Sequence, residues 1–218
     1  MELAYTIRRS ARARRVRVAV DPHAGVQVTL PARAREREAA RAVAELRPWI
    51  ERRLAEVRAA RERLAVPAGQ LPYLGAHLTL APEAGRLRAH RRGGALLVPA
   101  DEPRAAIERW YRRTARAEIA PRLDEAVAAL GRTYNRLTIR EQRTRWGSCS
   151  TTGAMSFNWR LLLGPEEVLD YVIWHEACHL VVMDHSRRFW TLLERHRPGY
   201  RAPQRWLRAN GTALVLPA

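Results

Sequence analysis

The sequence predicts an α+β fold: a small sheet beside long helices, preceded by an N-terminal extension of strands and a helix. Two observations carry this. Short β-branched runs bounded by turn residues occur in the same chain as long stripes whose apolar positions recur every three or four residues. The 218 residues are 47% hydrophobic and 28% charged, with 12 Gly and 13 Pro, enough for a substantial core and unlike a disordered, collagenous or coiled-coil chain.

In chain order, Tyr5 to Arg9, Val16 to Val20 and Val26 to Leu30 read as strands of a small antiparallel sheet, with Asp21, Pro22 and Gly25 at the turns. From Ala34 to Leu64, the residues Ala39, Val43, Leu46, Ile50, Leu54 and Val57 form a helical stripe, and Pro48 starts or kinks its second half. Short strands are predicted at Tyr73 to Leu74, His77 to Leu80 and Leu96 to Val98, and a boundary near residue 100 separates an extension, 1–100, from a core, 101–218. A long helix is predicted from Pro103 to Leu130, with Ile107, Trp110, Tyr111, Ile119, Leu123 and Val127 on its stripe and Gly131 as its stop. Leu137 to Ile139 and Ala154 to Phe157 read as strands flanking the loop from Trp146 to Ser150. Gly164 and Pro165 open the next helix, whose start is favoured by the negative charges of Glu166, Glu167 and Asp170.

Composition narrows the partners less than it first suggests. The 39 basic residues against 22 acidic give a net charge of +17, which points to a polyanion, but every basic residue is Arg and none is Lys. A general Arg bias produces the same excess. Residues 1–63 hold 16 Arg against 8 acidic residues, and these alternate along the helix as a solvated face does. Any nucleic-acid binding is expected to fall steeply with salt. Two cysteines, Cys149 and Cys178, exclude a disulfide scaffold and read as core packing in a reducing compartment. The first thirty residues lack a charged start followed by an apolar block, and Val168 to Met183 is interrupted by Asp170, His175, Glu176 and His179, so no membrane partner and a cytoplasmic location are expected.

The chemistry lies in that interrupted stretch, where His175, Glu176 and His179 form H-E-x-x-H on an apolar helix. Positions i and i+4 share a helix face about 6 Å apart along the axis, so both imidazoles reach one ion while Glu176 is rotated toward a bound water. A catalytic zinc site needs a third protein ligand and an open position. His185 supplies it, past a turn signalled by Asp184 and Ser186; Glu194 is the alternative, set in an Arg-rich helix that would pair it. The spacing H-E-x-x-H-x5-H matches metzincins, yet Val182 stands at their glycine position and no Met comes after Met183. His23, His77, His90 and His196 have no partner at ligand spacing. The ligand types favour one zinc ion per chain over manganese, nickel or cobalt. Zinc would polarise a water and the scissile carbonyl or phosphoryl oxygen, with Glu176 taking the water proton as general base.

Around this motif lie Arg143-Thr144-Arg145-Trp146-Gly147-Ser148-Cys149, then Ser156-Phe157-Asn158-Trp159-Arg160-Leu161, then His185 with Phe189-Trp190. With Tyr5 to Ser10 and Leu71 to Gly75, these runs resemble the YgjP-like metallopeptidase-domain family, which is related to SprT-like zincins. The resemblance implies a zincin-like α+β core, zinc on His175, His179 and His185, and Glu176 as base. It implies a metal-dependent hydrolase whose substrate is either a polypeptide or uridine triphosphate, cleaved as a pyrophosphatase, and its SprT side adds a DNA-associated protease. Cys178 stands where Ala is common between the ligands.

Other residues are candidates for binding substrate. Tyr200 and Arg160 are donors for a developing oxyanion, and Arg143, Arg145 and Arg160 have the fork geometry that holds a triphosphate. Asn158 lies in the Phe157 to Arg160 stretch, which has two readings: a sheet edge where a peptide adds as a strand, or a core strand followed by a loop. Trp146, Trp159, Trp174 and Trp190 read as core aromatics.

Overall fold

A computed structural model describes residues 3–217 apart from 22–23 and 143–144, so Arg143 and His23 lie outside the described residues. The fold is α+β, with three small sheets and six α-helices among those residues. Contacts divide it into two compact units. One holds residues 1–65 and 209–213, the other 66–208 and 214–218.

In the first unit, β1 (Tyr5–Ser10), β2 (Arg17–Asp21) and β3 (Gly25–Pro31) form a sheet of order β1-β3-β2. The expected strands are present, but β1 runs parallel to β3; only β2 is antiparallel to it. Alternate residues Val26, Val28 and Leu30 of the central strand turn inward, as the two-residue period of a strand dictates, and pack on Ala39, Val43 and Ile50. Each such burial contributes about 1.5–3 kcal/mol. The stripe from 34 to 64 becomes two helices, α1 (Glu36–Glu45) and α2 (Arg47–Arg63), parted at Leu46 because Pro48 fits only the first turn of a helix. Arg63 donates to Asn210 Oδ1 at 3.1–3.2 Å, tying the 209–213 segment to this unit.

The second unit begins with β4 (Gln70–Tyr73), β5 (Ala76–Glu83), β6 (His90–Arg92) and β7 (Ala95–Pro99), in the order β4-β5-β7-β6. Strand β6 has no apolar residue and carried no sequence signal. These four strands share a compact unit with the helices and strands beyond residue 100. The Leu74 N–H donates to the Leu162 carbonyl at 2.8 Å, and the Tyr73 hydroxyl donates to Glu118 at 2.7 Å. Helix α3 (Pro103–Ala129) buries Trp110, Tyr111, Ile119 and Leu123, as its stripe predicted.

The third sheet combines β8 (Arg136–Arg140), β9 (Gly147–Cys149) and β10 (Ala154–Asn158) in the order β8-β10-β9. The loop expected between two strands is thus itself a short strand. Strand β10 is paired on both sides, parallel to β8 and antiparallel to β9, so Phe157 to Arg160 offers no free edge. A 3-10 turn, Trp159–Leu163, leads into α4 (Glu166–Cys178), followed by α5 (Arg187–His196) and α6 (Arg201–Asn210). No helix among the described residues is long and apolar enough to cross a membrane.

Candidate active site

Helix α4 is apolar nearly all round, with Val168, Leu169, Tyr171, Val172, Ile173 and Trp174 buried, as a helix enclosed by neighbours must be. Its polar residues are tethered. Asp170 pairs with Arg197 at 2.7 Å and Arg122 at 3.4 Å, and Arg122 also binds Glu166, lashing α3 to the start of α4. The helix ends at Cys178, with His179 as its C-cap. The chain then turns until the Asp184 carboxylate accepts from the Ser186 N–H at 2.9 Å, and Ser186 is the residue that precedes the first turn of α5.

That turn returns His185 to the two helix histidines. The ligand atoms of His175, His179 and His185 lie within 4.8 Å of one another. His175 and His185 face each other Nε2 to Nε2 at 3.0 Å, and the His179 Nδ1–H donates to the Val182 carbonyl at 3.0 Å. A hydrogen bond on Nδ1 fixes the tautomer that leaves Nε2 as a lone-pair donor. Burial, with the neighbouring imidazoles, lowers the His175 pKa to about 3, and burial lowers that of His179 as well. Neutral imidazoles are what a cation requires. The donor set therefore fits a divalent metal of the zinc type: three nitrogen ligands converging, with space on one side.

Aromatic packing holds the trio. The Phe189 ring lies 4.6–4.9 Å from all three imidazoles, and Trp190 donates its indole N–H to the His185 carbonyl at 3.0 Å. Glu194, the alternative third ligand, is exposed and accepts from the Gly199 N–H at 3.3 Å, apart from the cluster.

Glu176 is only 7% exposed. Burial raises its pKa to about 7, against the downward pull of the Arg145 charge and of a hydrogen bond from the Cys149 backbone N–H. It sits directly under β9. A Cβ placed on Gly147 would meet Glu176 Cγ at 2.5 Å and Oε1 at 2.7 Å, so only glycine permits this approach. Nothing in the local sequence signals it.

The remaining candidates separate. Arg145 is exposed and near enough to act on the Glu176 charge. Arg160 is bound to Glu141 and lies against Trp159, so it is diverted from a triphosphate clamp. Asn158 is 2% exposed; its amide donates to the Gln142 carbonyl at 2.7 Å and its Oδ1 accepts from the Arg160 N–H at 3.1 Å. It fixes the loop that carries Arg145 and Trp146 and is not open to substrate. Replacing Asn158 by Ala should cost about 1–3 kcal/mol by orphaning these backbone groups, measured by chemical denaturation. Tyr200 is buried, stacked between Trp190 and Tyr171, and lines a neighbouring groove. Trp159 and Trp174 are core residues, while Trp146 and Trp190 are partly exposed.

The cavity of about 360 Å³ that opens on His175 and His185 is lined besides by Trp146, Tyr171, Trp190, Gln204, Leu207 and Arg208. Tyr171 was legible in principle, one helical turn before His175 on the same face. Gln204 and Arg208 come from α6, which no spacing in the sequence connects to the motif.

Among known proteins, the model of the family described as YgjP-like, metallopeptidase domain, matches residues 14–210. Among solved structures, the metallopeptidase zymogen of Pyrococcus abyssi abylysin is 25% identical with a TM-score of 0.38, covering 41% of this chain and 92% of that chain. A search of curated proteins returns no match. The family match extends from the first sheet through the histidine cluster to the end of α6, and the chain therefore belongs to the YgjP-like metallopeptidase-domain family.

Proposed function

We propose that this chain is a zinc-dependent metallopeptidase in which His175, His179 and His185 hold the ion and Glu176 is the general base. The observation that carries the reading is the convergence of three imidazoles within 4.8 Å, two of them from the end of the helix that also presents the buried Glu176 carboxylate. A divalent cation held there would supply Lewis-acid chemistry, lowering the pKa of a water and polarising a carbonyl. The protein's own groups do the rest. Glu176, with a pKa near neutrality, accepts a proton and returns it to the leaving amine. The Cys149 N–H holds the carboxylate in place, while Phe189 and Trp190 keep the imidazoles fixed. Tyr171, whose hydroxyl accepts from Gln204 at 3.2 Å and which lines the cavity, is placed to donate to a developing oxyanion.

The test is metal-loaded protein incubated in parallel with unfolded polypeptides and with uridine triphosphate. Polypeptide cleavage that stops on chelation is expected. Pyrophosphate release without polypeptide cleavage would replace this reading with the nucleotide one.

His185→Ala should weaken zinc binding by roughly a hundredfold or more, beyond the 10–100-fold typical of losing an outer-shell partner. Calorimetric titration measures it; unchanged affinity would remove His185 from the ligand set.

A further inference from the structure

The cavity over His175 and His185 does not end there. It shares Trp190, Gln204 and Arg208 with a larger groove of about 780 Å³ between α5 and α6. Arg187, Thr191, Glu194 and Arg195 line it from α5, and Arg201, Gln204 and Arg208 from α6. On each helix these positions recur at intervals of three, four or seven, so one stripe of each helix faces the groove.

The lining of this groove carries an excess of positive charge. Arg112, Arg122, Arg160 and Arg197 are each bound to a carboxylate. Among the described residues, Arg187, Arg195, Arg201 and Arg208 are exposed and have no carboxylate within ion-pair distance. The one acidic lining residue, Glu194, is turned to the Gly199 N–H. Four guanidiniums thus line a concave surface that leads to the histidine cluster, and their combined positive field favours an anionic occupant. Arg187 to Arg195 spans about 12 Å of helix and Arg201 to Arg208 about 10 Å, the length of three to four residues of extended chain.

The aromatic floor decides which anion fits. Trp190 stacks on His185 at 5.5 Å and on Tyr200 at 5.4 Å, and Tyr200 stacks in turn on Tyr171 at 6.3 Å. Trp190 and Tyr200, the two rings that line the groove, are each packed against other aromatic rings, which leaves a base little stacking platform. Carboxylates on an extended peptide need none, only forked donors at intervals along a groove.

We infer that the groove between α5 and α6 binds an acidic segment of the polypeptide substrate, beside the bond presented to the histidine cluster. This rests on the peptidase reading above, and it makes Arg187, Arg195, Arg201 and Arg208 specificity-determining residues.

The experiment uses two labelled peptides identical except that one carries four Glu where the other carries four Gln. Binding is read by fluorescence anisotropy on full-length Glu176→Gln protein, and cleavage by zinc-loaded wild type. The Glu peptide should bind roughly tenfold more tightly at low salt, and the preference should shrink as salt rises. Arg195→Glu with Arg201→Glu should bring the two peptides to parity or invert the order; both positions are exposed on helix surfaces, so folding is not at stake, and circular dichroism checks it. Equal binding and equal cleavage of the two peptides would overturn the groove assignment and leave the peptidase reading standing. Arg-dependent preference for the Glu peptide with no cleavage of either would uphold the groove and sink the peptidase reading. Tighter competition by uridine triphosphate or a single-stranded oligonucleotide than by the Glu peptide would overturn the assignment in favour of a nucleic ligand.

Discussion

A Glu176→Gln protein is expected to bind zinc with wild-type affinity and to turn over substrate roughly 10²–10⁴-fold more slowly. The change is nearly isosteric, and the carboxamide oxygen can still accept from the Cys149 N–H, so the strand above α4 keeps its contact. What disappears is the group proposed above as the proton acceptor. Because the native carboxylate is buried, with its pKa raised to about 7 by desolvation, the neutral amide removes a desolvation cost and the variant should melt no lower than wild type. Zinc titration, single-turnover cleavage and thermal melting on the same preparation separate these effects. Retention of the hydrolytic rate would show that another group takes the proton.

The second large effect is expected at Gly147, which does not line the open cavity. With an alanine Cβ 2.5 Å from Glu176 Cγ, either β9 or the carboxylate must move, and the backbone of β9 is held by its pairing with Met155 to Phe157. The carboxylate gives way. A displacement of about 1 Å in a catalytic group costs about 10²-fold in rate. Over-packing of this kind also costs about 1–3 kcal/mol of stability. Gly147→Ala should therefore lose activity by two orders of magnitude while binding zinc normally. A glycine-to-alanine change at Gly94, where an added Cβ would meet nothing within 4 Å, is the control. If Gly147→Ala were as active as the Gly94 control, the close approach of β9 to Glu176 would have no part in catalysis.

The contrast between these two residues shows how far the sequence could be read. Glu176 was legible as a candidate because its relation to His175 and His179 is set within one helix, where 3.6 residues per turn fix which side chains share a face. The same local rule placed α3 and α4 and the strands around Val28, Leu96 and Phe157 close to where they lie. It failed where a residue's partner is distant in sequence. The β9 strand has three residues and no apolar alternation, and it exists because β10 offers an edge. The parallel pairing of β1 with β3 has no local signature either.

Arg160 and Asn158 make the same point among polar residues. Both were candidate substrate contacts, since guanidinium and carboxamide groups suit that chemistry. Arg160 instead meets Glu141, and Asn158 satisfies the backbone of the loop around Gln142 and Arg145. Which of many arginines finds a carboxylate depends on tertiary placement, and exposed pairs differ by less than about 1 kcal/mol, too little for composition to foretell.

By itself the sequence determined the helix, the register that sets His175, Glu176 and His179 on it, and a turn able to return His185. Those come from bond geometry repeated over a few residues. Only the tertiary structure decided that His185 closes the cluster in place of Glu194, that Gly147 presses on Glu176, and that α6 brings Gln204 and Arg208 to the cavity. Such contacts are made between segments far apart along the chain, where packing and charge balance choose among arrangements that local propensity leaves equal.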